Sequence, residues 1–200
     1  MRRTASLAVN MLLVFNPAIA AETTVSLGVD YSTGDYGGSE STDILYYPLI
    51  LKYATGPWIG KLTVPYIRIK GPGDVVPDIG RVGTFIRPTR TEQGLGDVVA
   101  SLTRAVYSSE SVLLDATGKV KFGTANEDRS LGTGENDYSL QLDGYVPVGK
   151  ATPLATLGYK VFGDPSGYDL DNVVFASAGF TYALQERLST GAIFDYREPS

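Results

Sequence analysis

The sequence predicts an all-β fold, an antiparallel up-and-down transmembrane β-barrel with nine strands present. Residues 21–200 hold nine stretches, each about 10 to 13 residues long, in which apolar and polar side chains alternate. The connections between these stretches are alternately short and long, as they are in bacterial outer-membrane barrels. A segment typical of exported proteins precedes the first stretch. These features together favour a barrel in the bacterial outer membrane.

The first 20 residues have the composition of a cleavable signal peptide. Met1-Arg2-Arg3 is a basic start, Ala5–Phe15 is an apolar centre, Pro17 ends it, and Ala18-Ile19-Ala20 offers small residues for cleavage. The apolar run is about half the 20 or so residues that a transmembrane helix needs. We therefore expect cleavage after Ala20, which leaves residues 21–200 as one outer-membrane barrel domain.

Composition excludes several classes of function. Cleavage removes two of the 17 basic residues and no acidic residue, so 15 basic residues remain against 22 acidic ones, a net charge of −7. Nucleic-acid binding depends on Lys and Arg contacts to phosphates, so we expect no nucleic-acid partner. The chain has no cysteine and no histidine, which removes disulfides, thiolate or His-ligated zinc, and His-dependent catalysis. We predict no enzyme, no catalytic residue, no metal and no cofactor; a hydrolase built on paired carboxylates is the enzymatic alternative left open.

The nine predicted strands succeed one another along the chain. They span residues 23–33, 44–54, 58–70, 95–107, 112–124, 137–148, 153–163, 173–184 and 189–197. The short turns at 55–57, 108–110, 149–150 and 185–187 are expected at the periplasmic end. The long connections at 34–43, 71–94, 125–135 and 164–171 are then extracellular.

One strand departs from strict alternation. In the third strand the apolar row of Leu62 continues as Arg68 and Lys70, while Ile67 and Ile69 fall on the polar row. A β-bulge near residue 65 would restore the parity, because one extra residue exchanges the two faces.

The polar row of the strands predicts the lining of a lumen. The candidates are Asp115, Thr117, Lys119, Lys121, Gln141, Asp143 and Lys160. Charged side chains suit a wet interior and not a dry core. They favour either a polar path for solute or a cross-strand network that fills a narrow barrel, and the sequence leaves both open.

Aromatic residues cluster near the ends of the predicted strands, where membrane barrels carry their interfacial girdles. The predicted girdle consists of Tyr31, Tyr53, Trp58, Tyr107, Phe122, Tyr138 and Tyr182.

The number of strands is odd, whereas bacterial single-chain barrels have an even number. Lipid offers no hydrogen-bond partner to an open sheet edge, so the barrel must close. We therefore expect the chain to be a fragment, incomplete at its C-terminus, of a 10- or 12-stranded barrel.

Two loops have features that bear on function. The connection 71–94 is long enough to fold inward as a constriction, with Val75, Val76, Phe85 and Ile86 as its apolar part. Gly132-Thr133-Gly134 lacks the Gly-Lys-Ser/Thr that a phosphate loop requires. We interpret these glycines as loop positions where the backbone needs a positive φ.

From residue 94 onward, the order of short motifs resembles a known family. The motifs are Gly94-Leu95-Gly96-Asp97, Lys119-Val120-Lys121-Phe122-Gly123-Thr124, Ser130-Leu131-Gly132-Thr133-Gly134, Asp137-Tyr138-Ser139-Leu140-Gln141 and Val146-Pro147-Val148-Gly149. They are similar to the outer-membrane transporter-like family named for the meta-pathway of phenol degradation, over roughly residues 94–163. Residues 122–124 depart from the Pro-Thr-Gly step usual in that family. The resemblance implies a barrel associated with uptake of small, often aromatic molecules, and it carries no catalytic residues.

The leading hypothesis is a passive channel or transporter for a small, aromatic or hydrophobic solute, with outer-membrane lipid and that solute as partners. The first alternative is a structural or surface-interaction barrel with a filled lumen. The second is a secreted soluble β protein.

Overall fold

The protein is an all-β antiparallel sheet curled into a half-barrel. The computed structural model describes residues 5–15, 21–34, 41–72, 75–76, 80–81, 89–165, 170–185 and 188–198. The strands are β1 (Ala5–Phe15), β2 (Ala21–Gly34), β3 (Thr42–Thr55), β4 (Trp58–Pro72), β5 (Val75–Val76), β6 (Gly80–Arg81), β7 (Thr89–Leu95), β8 (Val98–Ser108), β9 (Leu113–Phe122), β10 (Asp137–Tyr145), β11 (Ala151–Val161), β12 (Val173–Gln185) and β13 (Leu188–Arg197). A 3-10 turn, Glu127–Arg129, is the helical element of these residues.

The connectivity is up-and-down, as predicted. The hydrogen-bonded order is β1-β2-β3-β4-β8-β9-β10-β11-β12-β13, and β5 and β6 form a separate small hairpin. Within the described residues this order is a linear path from β1 to β13. All nine predicted strands are present, as β2, β3, β4 and β8 to β13, with ends shifted by up to three residues.

Strand β7 was not predicted. It lies at the end of the expected 71–94 loop and pairs with the second half of β4, from Tyr66↔Leu95 to Pro72↔Thr89. The first half of β4 pairs with β8, so β7 and β8 together form the neighbour of one long strand. Most positions of β7 are charged or polar, so its sequence has no apolar row that would indicate a strand.

The segment predicted as the signal peptide forms β1 in the uncleaved chain. It pairs antiparallel with β2 from Ala5↔Thr33 to Phe15↔Thr23. Cleavage after Ala20 stays a prediction.

The predicted bulge near residue 65 does not lie in β4 itself. Strand β4 pairs with β3 without a register shift, and Pro48 lies opposite Pro65. Ile67 and Ile69 are buried while Arg68 and Lys70 are exposed, so the alternation continues to the end of the strand. The extra residue lies on the neighbouring strand, where the register with β4 shifts by one between Thr63↔Val99 and Tyr66↔Leu95, at the break between β7 and β8. Further register shifts lie between Ala105 and Tyr107 in β8 and between Ala183 and Gln185 in β12.

The two faces of the sheet have opposite chemistry. We call the face with the large exposed apolar side chains the outer face; Leu27, Leu102, Leu140 and Leu157 there are 53–66% exposed. The inner face alternates with it and carries the buried polar residues Thr24, Thr63, Thr117, Lys121 and Asp143.

The residues buried at the inner face form two small apolar clusters. The larger joins Ile44, Ile67, Ile69, Ala125 and Leu131, and the smaller joins Phe162 and Val173. Both lie at the end of the sheet that carries the long connections, which we call the upper end. No helix in the described ranges is long and apolar enough to cross a bilayer.

Candidate functional site

The strand register arranges the inner face in rows. Residues of neighbouring strands that lie directly opposite each other form one row, and two residues along each strand lead to the next row. One row joins Lys52, Lys61, Ser101, Lys119, Ser139 and Lys160. The row above it joins Thr63, Val99, Lys121 and Asp137. The two rows below join Ile59, Thr103, Thr117 and Gln141, and then Ala105, Asp115, Asp143 and Thr156.

All seven side chains predicted to line a lumen lie on this inner face. Asp115, Thr117, Lys119 and Lys121 come from β9, Gln141 and Asp143 from β10, and Lys160 from β11. Period-two alternation placed them there, because every second side chain of a strand points to the same side. Their contact with a solute stays a prediction.

The first group on the inner face is an ion-pair cluster at the upper end. Lys121 Nζ lies 3.2 Å from Asp97 Oδ2 and 3.0 Å from Asp137 Oδ2, and Lys160 Nζ lies 3.0 Å from the same Asp137 oxygen. Lys121 Nζ also donates a hydrogen bond to Thr133 Oγ1 at 3.2 Å. The Lys121 and Asp137 side chains are 10% and 3% exposed. The opposite charges in this arrangement compensate one another. Such pairing is needed because an unpaired charge is costly to bury.

Asp97 and Asp137 were not among the predicted candidates. Asp97 lies in the break between β7 and β8, and Asp137 is the first residue of β10. Neither occupies the middle of an alternating strand, so periodicity did not select them. The signal available in the sequence was an acid at the start of each strand that flanks β9, with Asp97 just before β8 and Asp137 in β10.

The connection between β9 and β10 folds onto the inner face. We call residues 123–136 the inward segment. Leu131, which is 2% exposed, packs with Ala125 against Ile44, Ile67 and Ile69 of β3 and β4. Residues 125–135 were predicted as a long extracellular connection, and these inward contacts were not predicted; the extracellular location stays a prediction. These inward contacts also explain why β4 ends with isoleucines on its inner face.

Polar contacts hold the inward segment in place. The amide of Ala125 donates a hydrogen bond to Asp97 Oδ1 at 2.9 Å, and the amide of Gly123 donates to Asn136 Oδ1 at 3.0 Å. Arg90 of β7 donates through Nη2 to Ser130 Oγ at 3.3 Å. The segment is thus tied both to β7 and to the break that separates β7 from β8.

Two positions of the inward segment require glycine, each for a different reason. Gly134 has φ +73°, which confirms the predicted need for a left-handed backbone there. Gly132 has no such φ, but a Cβ at this position would lie 2.6 Å from Asp97 Oδ2. Gly132 is therefore required for the close approach of the segment to the ion-pair cluster.

The predicted constriction at 71–94 is described only in part. Its last residues belong to β7, and Val75 and Val76 form the short strand β5, which pairs with β6. Phe85 and Ile86 lie outside the described residues. The described element that reaches the inner face is the inward segment.

A second group lies lower on the inner face, around Asp143. Its carboxylate accepts hydrogen bonds from Gln141 Nε2 at 2.8 Å, from Thr156 Oγ1 at 2.7 Å and from Thr117 Oγ1 at 3.5 Å. Thr117 Oγ1 is also 2.8 Å from Thr103 Oγ1. We call these five side chains the carboxylate network. It spans four strands and satisfies Asp143 without a cation.

The third group consists of Lys52, Lys61 and Lys119. None of them has an ion pair or a side-chain hydrogen bond within the part of the chain that the structure describes. Lys61 is exposed, and Lys52 and Lys119 are half-buried. Lys52 and Lys61 lie directly opposite each other.

The seven predicted girdle aromatics all lie on the outer face and are 39–54% exposed. Tyr53, Trp58, Tyr107 and Tyr182 are at the lower ends of their strands, and Tyr31, Phe122 and Tyr138 are at the upper ends. The Arg104 guanidinium lies 5.2 Å from the centre of the Trp58 ring. These seven aromatics thus form two tiers, one at the lower and one at the upper ends of the strands. Their role as a membrane girdle stays a prediction.

Neither a search for metal-binding groups nor comparison with known proteins assigns a function to this site. The described residues contain no group of three or more side chains of the types that bind metals. No protein-family model and no curated protein matches the sequence. The family resemblance of residues 94–163 therefore stays a prediction, and a functional proposal has to rest on the geometry of the sheet.

Proposed function

We propose that the protein is an outer-membrane β-barrel whose inner face provides a passive path for a small solute. The observation that carries the proposal is the inverted chemistry of the sheet. Large apolar side chains such as Leu140, 66% exposed, cover the outer face, while ionised side chains such as Lys121 lie inside. In a transmembrane barrel, contact with the hydrocarbon of the bilayer buries such an apolar face.

Strand length and aromatic placement support the same proposal. The strands that form the body of the sheet, β2 to β4 and β8 to β13, contain 9 to 15 residues. A tilted strand of about 9 to 11 residues crosses the hydrocarbon layer. The two aromatic tiers lie where the two interfaces of a bilayer would meet such strands.

Insertion into lipid is tested with paired variants of adjacent residues. Leu142→Arg places a charge on the outer face of β10, which costs about 2–4 kcal/mol near the middle of a bilayer. Gln141→Arg places the same side chain on the inner face, beside Asp143. We expect Leu142→Arg to reduce folding into liposomes and Gln141→Arg to leave it near wild type. Equal yields, or a wild-type protein that remains in solution without detergent, would contradict a membrane location.

Transport is tested by loading liposomes that contain the full chain with a small fluorescent solute. Efflux that depends on the folded protein supports a path, and heat-denatured protein in the same vesicles is the control. Vesicles that remain sealed although the protein is inserted would contradict transport.

The structural alternative is a barrel with a filled interior. The inward segment favours it, since Leu131 and the ion-pair cluster occupy the upper end of the inner face. Sealed vesicles together with normal insertion are the result expected from this alternative.

A further inference from the structure

The lysines of the inner face fall into two sets. Lys121 and Lys160 lie within 3.2 Å of Asp97 or Asp137. Lys52, Lys61 and Lys119 share one row of the sheet and have no carboxylate within 4 Å among the described residues. The second set is therefore not needed to neutralise the protein's own acids.

The arrangement of the second set is unfavourable for folding. Lys52 and Lys61 are a directly opposed cross-strand pair, and like charges in this relation destabilise a sheet. Lys119 lies two strands from Lys61 in the same row, with Ser101 between them. Neighbouring strands are about 4.8 Å apart, so the three ammonium groups lie within reach of one small ion. Only an anion would turn this mutual repulsion into attraction.

The residues between the lysines leave room for such an ion. Ser101 separates Lys61 from Lys119, and Ser139 is the next member of the row after Lys119. Both side chains are short and carry a hydroxyl that can donate a hydrogen bond. From Lys61 to Lys160 the row thus alternates long cationic side chains with small donors.

We propose that Lys52, Lys61 and Lys119 form an anion-binding row that makes the path selective for small anions. This inference rests on the proposed function, because it names the solute class for the same inner face. Lysines on the wall of an aqueous pore lower the energy of a passing anion and raise that of a cation. Anions would cross the row with their charge facing three ammonium groups.

The acids lower on the inner face weaken this effect without removing it. Asp115 lies four residues from Lys119 along β9, which corresponds to about 13 Å. That distance exceeds the Debye length of about 10 Å at 0.1 M salt. Asp143, opposite Asp115, accepts hydrogen bonds only from uncharged side chains of the wall, so it also opposes the row, and salt weakens its influence in the same way.

The test is the reversal potential of the full chain in planar bilayers separating two concentrations of potassium chloride. We expect wild-type protein to pass chloride in preference to potassium. Lys61→Gln and Lys119→Gln should each lower the chloride-to-potassium permeability ratio by up to about fivefold, the effect of one unit charge about 4 Å away in water. Asp115→Asn should change the ratio in the opposite direction.

Lys70→Gln is the matched control, because Lys70 lies on the same strand as Lys61 but on the outer face. It should leave the permeability ratio unchanged. The folded state of each variant is checked by its heat-dependent migration in gels, so that a loss of folding is not mistaken for a loss of selectivity.

The outcomes separate the two proposals. Conductance with equal permeability or a preference for potassium overturns the anion row and leaves the transport proposal standing. Conductance whose selectivity responds to Lys70→Gln as strongly as to Lys61→Gln also overturns the row. Absence of conductance from inserted protein overturns both.

Discussion

Lys119 and Lys121 are two residues apart on the same strand and face the same side of the sheet, yet their surroundings differ completely. Lys121 contacts Asp97, Asp137 and Thr133 and is almost entirely buried. Lys119 has no such partner in the described ranges and lies half-buried beside Ser101 and Ser139.

The difference shows that the inner face has two kinds of region. At the upper end, the inward segment covers the wall, and charges and apolar groups pack as they do in a protein interior. One row lower, Lys52, Lys61 and Lys119 have no ion pair within the described residues, and their like charges repel one another. The first region stabilises the fold at this end, and we propose that the second is the part of the face that meets a solute.

The largest effect on the free energy of unfolding is expected from removal of Lys121, with removal of Lys119 as the comparison. Lys121→Met leaves the buried Asp97 without a cation and Asp137 with Lys160 alone, so we expect a loss of about 3–5 kcal/mol in the free energy of unfolding. Lys119→Met removes no partner and should cost less than about 1 kcal/mol. Urea unfolding of both variants in detergent micelles measures the difference. Equal losses would mean that the two regions are not distinct.

A second test addresses the apolar part of the upper end. Leu131→Ala removes the side chain that joins the inward segment to Ile67 and Ile69, and the cavity should cost about 2–5 kcal/mol. Leu95→Ala is the matched control, because Leu95 is 61% exposed on the outer face of the neighbouring β7; it should cost about 1 kcal/mol or less. The same urea titration checks both. If Leu131→Ala proved as mild as its control, the inward segment would not be held by packing.

A smaller loss in the free energy of unfolding is expected when the carboxylate network is disturbed. Thr156→Val removes the 2.7 Å hydrogen bond to Asp143, and a bond to a charged acceptor contributes about 1.5–3 kcal/mol. Thr152 is on the same face of β11 and has no side-chain hydrogen bond within the described residues, so Thr152→Val should have little effect on the free energy of unfolding. A matching loss in both variants would show that side-chain volume, and not the hydrogen bond, is being measured.

The smallest expected effect has the opposite sign. Lys61→Gln removes a charge opposed to Lys52, and relief of a like-charged cross-strand pair should stabilise the fold by about 0.2–1 kcal/mol. Lys70→Gln, on the outer face, should not stabilise it. Raising the salt concentration should reduce the gain, because salt screens the repulsion between exposed charges. A destabilising effect of Lys61→Gln would mean that Lys61 has a structural partner.

Much of this architecture could be predicted because alternation is a local property. The nine predicted strands lie within three residues of the observed ones, and the seven lumen candidates all lie on one face. The errors occur where a strand lacks alternation, or where an inner position is apolar because it packs against a distant part of the chain. Strand β7 is mostly polar, and the break in polarity at Ile67 and Ile69 suggested a bulge although its cause was the packing of Leu131.

Sequence alone was enough to locate the strands, to divide their side chains between two opposite faces and to show that the outer face is apolar. These properties depend on the period of two in an extended chain, in which each residue's side is set by its neighbours. Tertiary contacts were needed to show that residues 123–136 fold inward and that Lys121 is paired while Lys119 is not. Asp97 lies 24 residues before Lys121 and Asp137 lies 16 after it, so their meeting depends on strand register and loop path, which no local period encodes.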